Sequence, residues 1–454
     1  MNIVISPHLS TLFTTYGYDN ILFYLFVKKY FYCYFKHKLV VFICYHNRCT
    51  IYFYEYNILC ISCYSILLKY LKIIFKFTNC INLILFFKMY PILNKCCTTE
   101  TRLVEIYTKL SDYDYNLPKE FIAQQPLENR DDSRLLVLYR NTGKIEHRKF
   151  YEITDYFSSG DFLVLNDTKV LPARLLGNRI GGASIELLFI EEIGENRWKV
   201  LIKSNAKLKM GEEIYVNDNN ISARLLDRTE EGAWLIEFNI KNNTVKELLH
   251  RIGGMPLPPY IKRTKNQDAL FSLDRERYQT IFAQKEGAIA APTAGLHFTK
   301  NTLEKIQKRG VEIGFVTLHV GLGTFLPIKT DDVRDHLMHK EYYECSEEII
   351  QKIKRTKEQN RRVIATGSTS CRVLETIARN NNSSQLSGWT NLFIYPPYNF
   401  KYVDVLLTNF HLPKTTLVVM ASAFAGRDNI LNAYEIAKNE GYRFFSYGDC
   451  MMII

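Results

Sequence analysis

Four times between residues 287 and 413 an apolar run stops abruptly at a joint rich in glycine, proline, serine or asparagine. G-A-I-A-A meets P-T-A-G-L-H (292–297), and V-E-I-G-F-V-T-L meets H-V-G-L-G-T (319–324). R-V-I-A-T meets G-S-T-S-C-R (367–372), and V-D-V-L-L-T meets N-F-H-L-P (409–413). The runs have strand length, and helix-like segments such as L-E-K-I-Q-K-R, V-L-E-T-I-A-R and T-T-L-V-V-M-A-S-A-F follow three of them. Asn301 with Glu304 three positions later predicts a capping box for the first of these helices, which Gly310 ends. Alternation of this kind predicts a mixed, largely parallel α/β sheet. In such sheets ligands collect beyond the carboxyl ends of the strands, where backbone donors and helix N-termini converge. His297, His319 and His411 are therefore expected along one rim.

Residues 177–255 carry a different rhythm. S-I-E-L-L-F-I-E and W-K-V-L-I-K alternate in and out, with Gly, Asn and Asp turns between them. That predicts a small antiparallel, barrel-like domain inserted into the α/β domain, with Trp198 and Trp234 in its core. P-L-P-P-Y (256–260) cannot continue a central strand or helix and marks its exit. The expected organisation is an atypical extension over 1–110, an α/β catalytic domain over 111–176 and 256–454, and the β insertion over 177–255.

The extension separates itself by composition. Of the net charge of +11, residues 1–88 contribute seven, with nine Lys/Arg against Asp19 and Glu55. The mild surplus in the remainder permits nucleic-acid binding without requiring it. Eight of the eleven cysteines precede residue 98, leaving Cys345, Cys371 and Cys450, which fits a reducing compartment without a disulfide framework. Cys60-Ile-Ser-Cys63 has no second pair at zinc-finger spacing and reads as accidental. The longest uncharged apolar run, between Glu55 and Lys69, is shorter than the ~20 residues of a spanning helix, and no cleavage site or amphipathic presequence follows. The extension reads as translated upstream sequence, with a functional start at Met89 or later and a cytoplasmic protein without a membrane anchor.

Several chemistries lack their motifs. Zinc would call for H-E-x-x-H or a thiolate pair, and a serine hydrolase for G-x-S-x-G; neither occurs, and no metal site is expected. Gly321 and Gly323 lack the third glycine of a dinucleotide fingerprint. G-S-T-S-C-R before a helix resembles an anion cradle with Arg372 at hand, though serine and threonine there equally serve as ordinary caps. For each histidine, acid/base work near neutral pH stands beside a plain structural role.

D-Y-N-L-P, D-S-R-L-L-V-L, V-L-N-D-T-K-V-L-P-A-R, A-A-P-T-A-G-L-H-F-T, T-L-H-V-G-L-G-T-F, T-N-F-H-L-P-K-T-T-L and Y-R-F-F-S-Y-G-D appear in this order from about residue 111 to the end. Together they closely resemble the S-adenosylmethionine:tRNA ribosyltransferase-isomerase family of queuosine biosynthesis. Pro397 of Y-P-P-Y stands where the family usually has glycine, and the first hundred residues are foreign to it. The resemblance implies that S-adenosylmethionine is consumed as a ribosyl donor rather than kept as a cofactor. Its ribosyl group passes to 7-aminomethyl-7-deazaguanine at the wobble position of a tRNA with a GUN anticodon, and epoxyqueuosine, adenine and methionine result. A monomer is expected. The rivals are another S-adenosylmethionine-dependent tRNA enzyme, such as a methyltransferase, or a non-catalytic tRNA-binding protein.

The expected catalytic groups are His297, His319, His411 and Asp167. The expected substrate-binding set is Asn166, Thr168, Lys169, Arg174, Thr293, Gly295, Gly321, Gly323, Thr324, Thr369, Arg372, Asn409 and Asp449. His297 or His319 is assigned the base or the acid, leaving open which does which. A sulfonium acidifies the adjoining C5′ hydrogens, one of which a base must remove, while departing adenine needs a proton.

Overall fold

The computed structural model describes three strands within residues 30–55, and residues 107–454 apart from 217–220, 231, 241–242, 264–267, 322, 324–327 and 381–385. Thr324 and the Cys60–Cys63 pair lie outside the described residues. The chain divides into two units, 1–103 and 104–454. In the first, β1 (Tyr30–Phe35), β2 (Lys38–Tyr45) and β3 (Arg48–Glu55) form an antiparallel meander.

In the second unit the main-sheet strands begin with β4 (Arg134–Tyr139), β5 (Lys144–Lys149) and β6 (Phe162–Asn166), and β7 (Thr168–Val170) follows. The chain then enters β8 (Arg174–Arg179), β9 (Ser184–Gly194), β10 (Arg197–Lys203), β11 (Glu213–Val216), β12 (Ile221–Arg228) and β13 (Trp234–Phe238). These six close into an antiparallel barrel. Alternate residues such as Leu187, Phe189, Trp198, Val200 and Ile236 point inward, so the alternation read from the sequence becomes the barrel core. Both tryptophans are buried there. Barrel closure leaves no exposed edge strand, which suits a module this small.

The chain returns through α1 (Val245–Ile252) and α2 (Asp268–Arg277) to β14 (Lys285–Ala288), then α3 (Lys300–Lys308) and β15 (Glu312–Leu318). Next come β16 (Glu341–Glu344), α4 (Glu347–Glu358), β17 (Val363–Thr366), α5 (Gly367–Arg379), β18 (Ser387–Thr390) and β19 (Val405–Asn409). The last elements are α6 (Thr416–Ala425), α7 (Arg427–Asn439) and β20 (Cys450–Ile453). The main sheet runs β18-β16-β15-β6-β17-β19-β20-β4-β5. Its centre, β15-β6-β17-β19, is parallel throughout, with β20-β4 parallel as well and the other junctions antiparallel. Every residue of β6, β17 and β19 is buried. That is the mark of strands covered on both faces, and it explains their unbroken apolar runs. One face packs on α4 to α7 through Ile353, Leu374, Val418 and Tyr434. The other packs on Phe150, Ile153, Phe298 and Ile306. Each fully buried aliphatic side chain here contributes about 1.5–3 kcal/mol.

Two sequence expectations change. The run at 287–291 is not a main-sheet strand: β14 pairs only with β7, in a separate two-stranded sheet. Thr299, not Asn301, caps α3, because its hydroxyl accepts the Thr302 N–H at 3.1 Å and leaves Asn301 inside the first turn.

Candidate active site

The parallel centre of the sheet ends in Leu318, Asn166, Thr366 and Asn409, side by side. At ~4.8 Å between neighbours, the outermost two strands stand roughly 14 Å apart. Residue parity then decides which face each side chain joins. Thr317, Thr366 and Asn409 alternate with neighbours buried in the α4–α7 layer, so they face the layer that holds Phe150 and Phe298.

His297 ends a 3-10 turn over 293–297 and comes to rest against Asn409, one end of this rim. It is buried, with its ring tilted 5.2 Å from that of Phe150. Its Nδ1 lies 2.8 Å from Ser133 Oγ, and the Ser133 hydroxyl donates to the Arg130 carbonyl at 3.3 Å. The Asn409 amide nitrogen donates to Phe445 O at 3.0 Å and lies 3.3 Å from His297 Nε2. One tautomer satisfies every contact: Nδ1–H donates to Ser133, and Nε2 accepts from Asn409. Burial pushes the imidazole down to about 3 from an ordinary 6.5, against the pull of the Asn409 hydrogen bond. His297 is thus a neutral ring with both nitrogens engaged. What it leaves available is Asn409 Oδ1, which is buried and has no partner among the described residues. Thr366 Oγ1 and Thr369 Oγ1 are in the same position, and Thr369 approaches Gly367 beside Ala294 of the 3-10 turn.

His319 follows β15 at the other end of the rim and is built differently. Its Nδ1 lies 2.8 Å from Thr168 Oγ1 and its ring stacks on Tyr342 at 6.0 Å. Nε2 has no hydrogen-bond partner among the described residues. Glycine at 287 keeps that edge open, since a Cβ there would sit 2.8 Å from Nε2. Beside this histidine lies a cavity of about 310 Å³, lined by Asp167, Lys285, Phe315, Thr317, Tyr342 and Glu344 among others. Thr317 donates to Asp167 Oδ1 at 2.6 Å. Lys285 pairs with Glu344, so Asp167 carries the unbalanced charge of the cavity. Burial lowers the His319 pKa while Glu344 and Asp167 raise it and Lys285 lowers it, for a net downward shift. Burial also lifts the Cys345 thiol in the same wall up to about 12, which removes it as a nucleophile. Phe282 spans between Phe298 (6.3 Å), next to His297, and Phe315 (5.8 Å), in the cavity wall.

His411 leaves this picture. Its Nε2 lies 2.7 Å from Thr408 Oγ1, its N–H donates to Tyr434 OH at 3.1 Å, and its carbonyl accepts from Tyr115 OH. Thr408 alternates with Asn409, so His411 belongs to the opposite, α4–α7 face. Burial pushes it down to about 3. The three histidines share a rim but not a cleft.

The remaining expected residues divide by what their polar atoms already do. Asn166 bonds Leu318 N and O and Thr168 N, a brace between β6 and β15. Asp449 accepts the backbone N–H groups of Arg134 and Arg443, both at 2.8 Å. Arg174 is held by Glu186 of the neighbouring strand β9 through bonds of 2.8 and 2.9 Å. Lys169 stands 3.9 Å from Glu286. Thr293 opens the 3-10 turn, and Gly295 sits where a Cβ would crowd Thr280 and Phe282 at 3.0 Å. Arg372 is buried, ion-paired to Glu341 and bonded to Leu392 O at 3.0 Å, while its Nη2 and the Ser370 hydroxyl have no partner among the described residues. The other Glu341 oxygen accepts the Gly321 N–H at 2.8 Å, so this pair braces the glycine joint. Gly323 abuts His339. Sequence reasoning missed Ser133, Lys285, Tyr342 and Glu344. The D-S-R and E-Y-Y-E-C segments are polar where they flank strands, but nothing local says which neighbour they meet. Among the described residues no group of three His, Cys, Asp or Glu could hold a metal ion.

Comparison with known proteins places this architecture. The family described as "Queuosine biosynthesis protein" matches residues 110–453. A protein of Acetivibrio thermocellus named S-adenosylmethionine:tRNA ribosyltransferase-isomerase is 50% identical over 347 residues, covering 76% of this chain and 99% of its own. One of the same name from Halothermothrix orenii is 47% identical over 348 residues, covering 76% of this chain and 100% of its own. A crystal structure of S-adenosylmethionine tRNA ribosyltransferase from Thermotoga maritima aligns with 39% identity over 76% of this chain and 100% of that one, at a TM-score of 0.43.

Proposed function

The chain belongs to the queuosine biosynthesis family of S-adenosylmethionine:tRNA ribosyltransferase-isomerases, and from that premise we propose that its reaction is run at the His319 end of the rim. The protein is a transferase of that class, with S-adenosylmethionine and tRNA as substrates. The acceptor is 7-aminomethyl-7-deazaguanine at the wobble position of a GUN anticodon, and the products are epoxyqueuosine-tRNA, adenine and methionine. The enzyme works as a cytoplasmic monomer; among the described residues no helix is long and apolar enough to cross a membrane.

The carrying observation is a cavity of about 310 Å³ with an aromatic wall and an unbalanced carboxylate, next to an imidazole that stacks on that wall and has one open nitrogen. A sulfonium is a soft cation, and Phe315 and Tyr342 with Asp167 supply ring faces and a counter-charge for it. His319, whose downward shift keeps it neutral near pH 7, is the base for a C5′ hydrogen acidified by that sulfonium. Asn409 Oδ1, fixed through His297, positions a substrate N–H donor at the other end. Single-stranded anticodon bases can be splayed into such a site, so shape and stacking replace a strong basic stripe.

Incubation with S-adenosylmethionine and precursor-bearing tRNA should release adenine and methionine in equal amounts. S-adenosylhomocysteine as the product would return the methyltransferase reading, and tRNA binding without turnover the non-catalytic one. Asp167→Asn should weaken S-adenosylmethionine roughly tenfold while leaving S-adenosylhomocysteine, whose thioether sulfur is neutral, unaffected. An equal effect on both ligands would remove Asp167 from sulfonium recognition.

A further inference from the structure

Three arginines surround the His297 end of the rim without a carboxylate among them. Arg130 donates to the carbonyls of Leu296 (3.1 Å) and Glu276 (3.2 Å). Arg277 donates to Glu128 O at 2.8 Å, and Arg443 to Gln125 O. Among the described residues none of the three has an acidic group within ion-pairing distance. Two of their nitrogens, Arg277 Nε and Arg443 Nη1, are buried without any partner. Glu276 and Asp449 act on Arg130 and Arg443 only from beyond ion-pairing distance, and Asp274 and Asp449 are already committed. Asp274 is bound in two places by Arg263 at 2.7 and 2.8 Å, and also by Tyr447 OH. Asp449 accepts two backbone N–H groups. Arg130, Ser133, Arg277, His297, Ser446 and Tyr447 border a space of about 30 Å³.

Half-buried guanidinium groups held by carbonyls, with no ion pair of their own, are costly, and mutual repulsion adds to the cost. Burial and the neighbouring Arg277 lower the Arg130 pKa, while Glu276 and Tyr447 raise it, for a net downward shift. A fold can keep such a group when a ligand supplies the missing charge. We propose that Arg130, Arg277 and Arg443 form an oxyanion seat that receives a single phosphate or carboxylate of a substrate next to Asn409. Forked N–H donors are the matching chemistry. Two substrate groups fit: a phosphodiester flanking the wobble nucleotide, or the α-carboxylate of S-adenosylmethionine. This rests on the functional reading above for its ligand's identity but not for its existence.

The test uses the full chain. At constant ionic strength, inorganic phosphate in place of chloride should raise the Tm of the wild type and leave that of Arg277→Gln and Arg443→Gln unmoved. Without phosphate, neither variant should melt lower than the wild type, since each removes a half-buried charge that has no ion pair. If the ligand is RNA phosphate, each substitution should reduce the slope of log K against log salt for tRNA by about one. If it is the carboxylate, the wild type should prefer S-adenosylmethionine over its decarboxylated form roughly tenfold, and the variants should lose that preference. Phosphate stabilising the variants as much as the wild type, or both ligand arms unchanged, would overturn the seat. Failure of the wild type to release adenine would instead strike the functional reading and leave the phosphate arm to decide this one.

Discussion

His297 and His319 stand over the same edge of the same sheet, yet they are opposite kinds of histidine. His297 has both nitrogens engaged, a fixed tautomer and a pKa pushed to about 3. His319 has one nitrogen tied to Thr168 and the other open, beside a cavity whose net charge is negative. Burial acts on both, but only at His319 do carboxylates push back. The contrast teaches that position at the rim does not make a histidine a proton carrier. Its second nitrogen and its neighbouring charges do.

The sharpest way to break this contrast is His319→Gln. Adenine release should fall by about 10²–10⁴-fold with little change in S-adenosylmethionine affinity, as expected for lost proton transfer; a loss under tenfold would end its role as the base. The wild-type rate should rise with pH to a plateau through an apparent pKa below 6.5, because the neutral imidazole is the active form. His297→Gln should cost less, of the order of 10²-fold in kcat through misplacement of Asn409. Because His297 does not titrate in the working range, this variant should keep the wild-type pH profile. A shifted profile would make His297 a proton carrier after all.

Stability separates the two ends more gently. His297 and His411 are held neutral when folded but titrate near 6.5 when unfolded. The unfolded chain therefore binds more protons between about pH 6.5 and 3. Stability should be intact above that window and fall as pH is lowered through it, by up to about 1.4 kcal/mol per pH unit for each histidine. Denaturant melts at pH 7 and pH 5 should show the drop, and His297→Gln should halve the part due to this pair. The smallest effect belongs to the barrel. Arg197 and Glu237 pair at 2.7 Å but stand about half exposed, so Arg197→Gln should change stability by less than about 0.5 kcal/mol and leave adenine release untouched.

Much of this organisation was legible in the primary structure. The unbroken apolar runs of β6, β17 and β19 required cover on both faces, and the alternation over residues 177–255 required one wet face and one dry. Periodicity carries that information because burial is decided residue by residue along a strand. The joints also marked the rim. Turn residues and strand ends were read correctly enough to place His319 and Asn409 at carboxyl termini. The run at 287–291 misled because four apolar residues do not say which sheet they will join.

What the amino-acid order determined by itself was therefore local: which segments are strands, where they stop, and that histidines, an asparagine and an aspartate stand at the stops. Only the tertiary structure decided which of those groups remain available. Ser133, Phe445, Glu341 and Glu344 reach them from distant parts of the chain, and side-chain parity sends Thr408 with His411 to one face and Asn409 with His297 to the other. The physical reason is that a polar atom's chemistry depends on its partners and its desolvation, and both are properties of packing rather than of order along the chain.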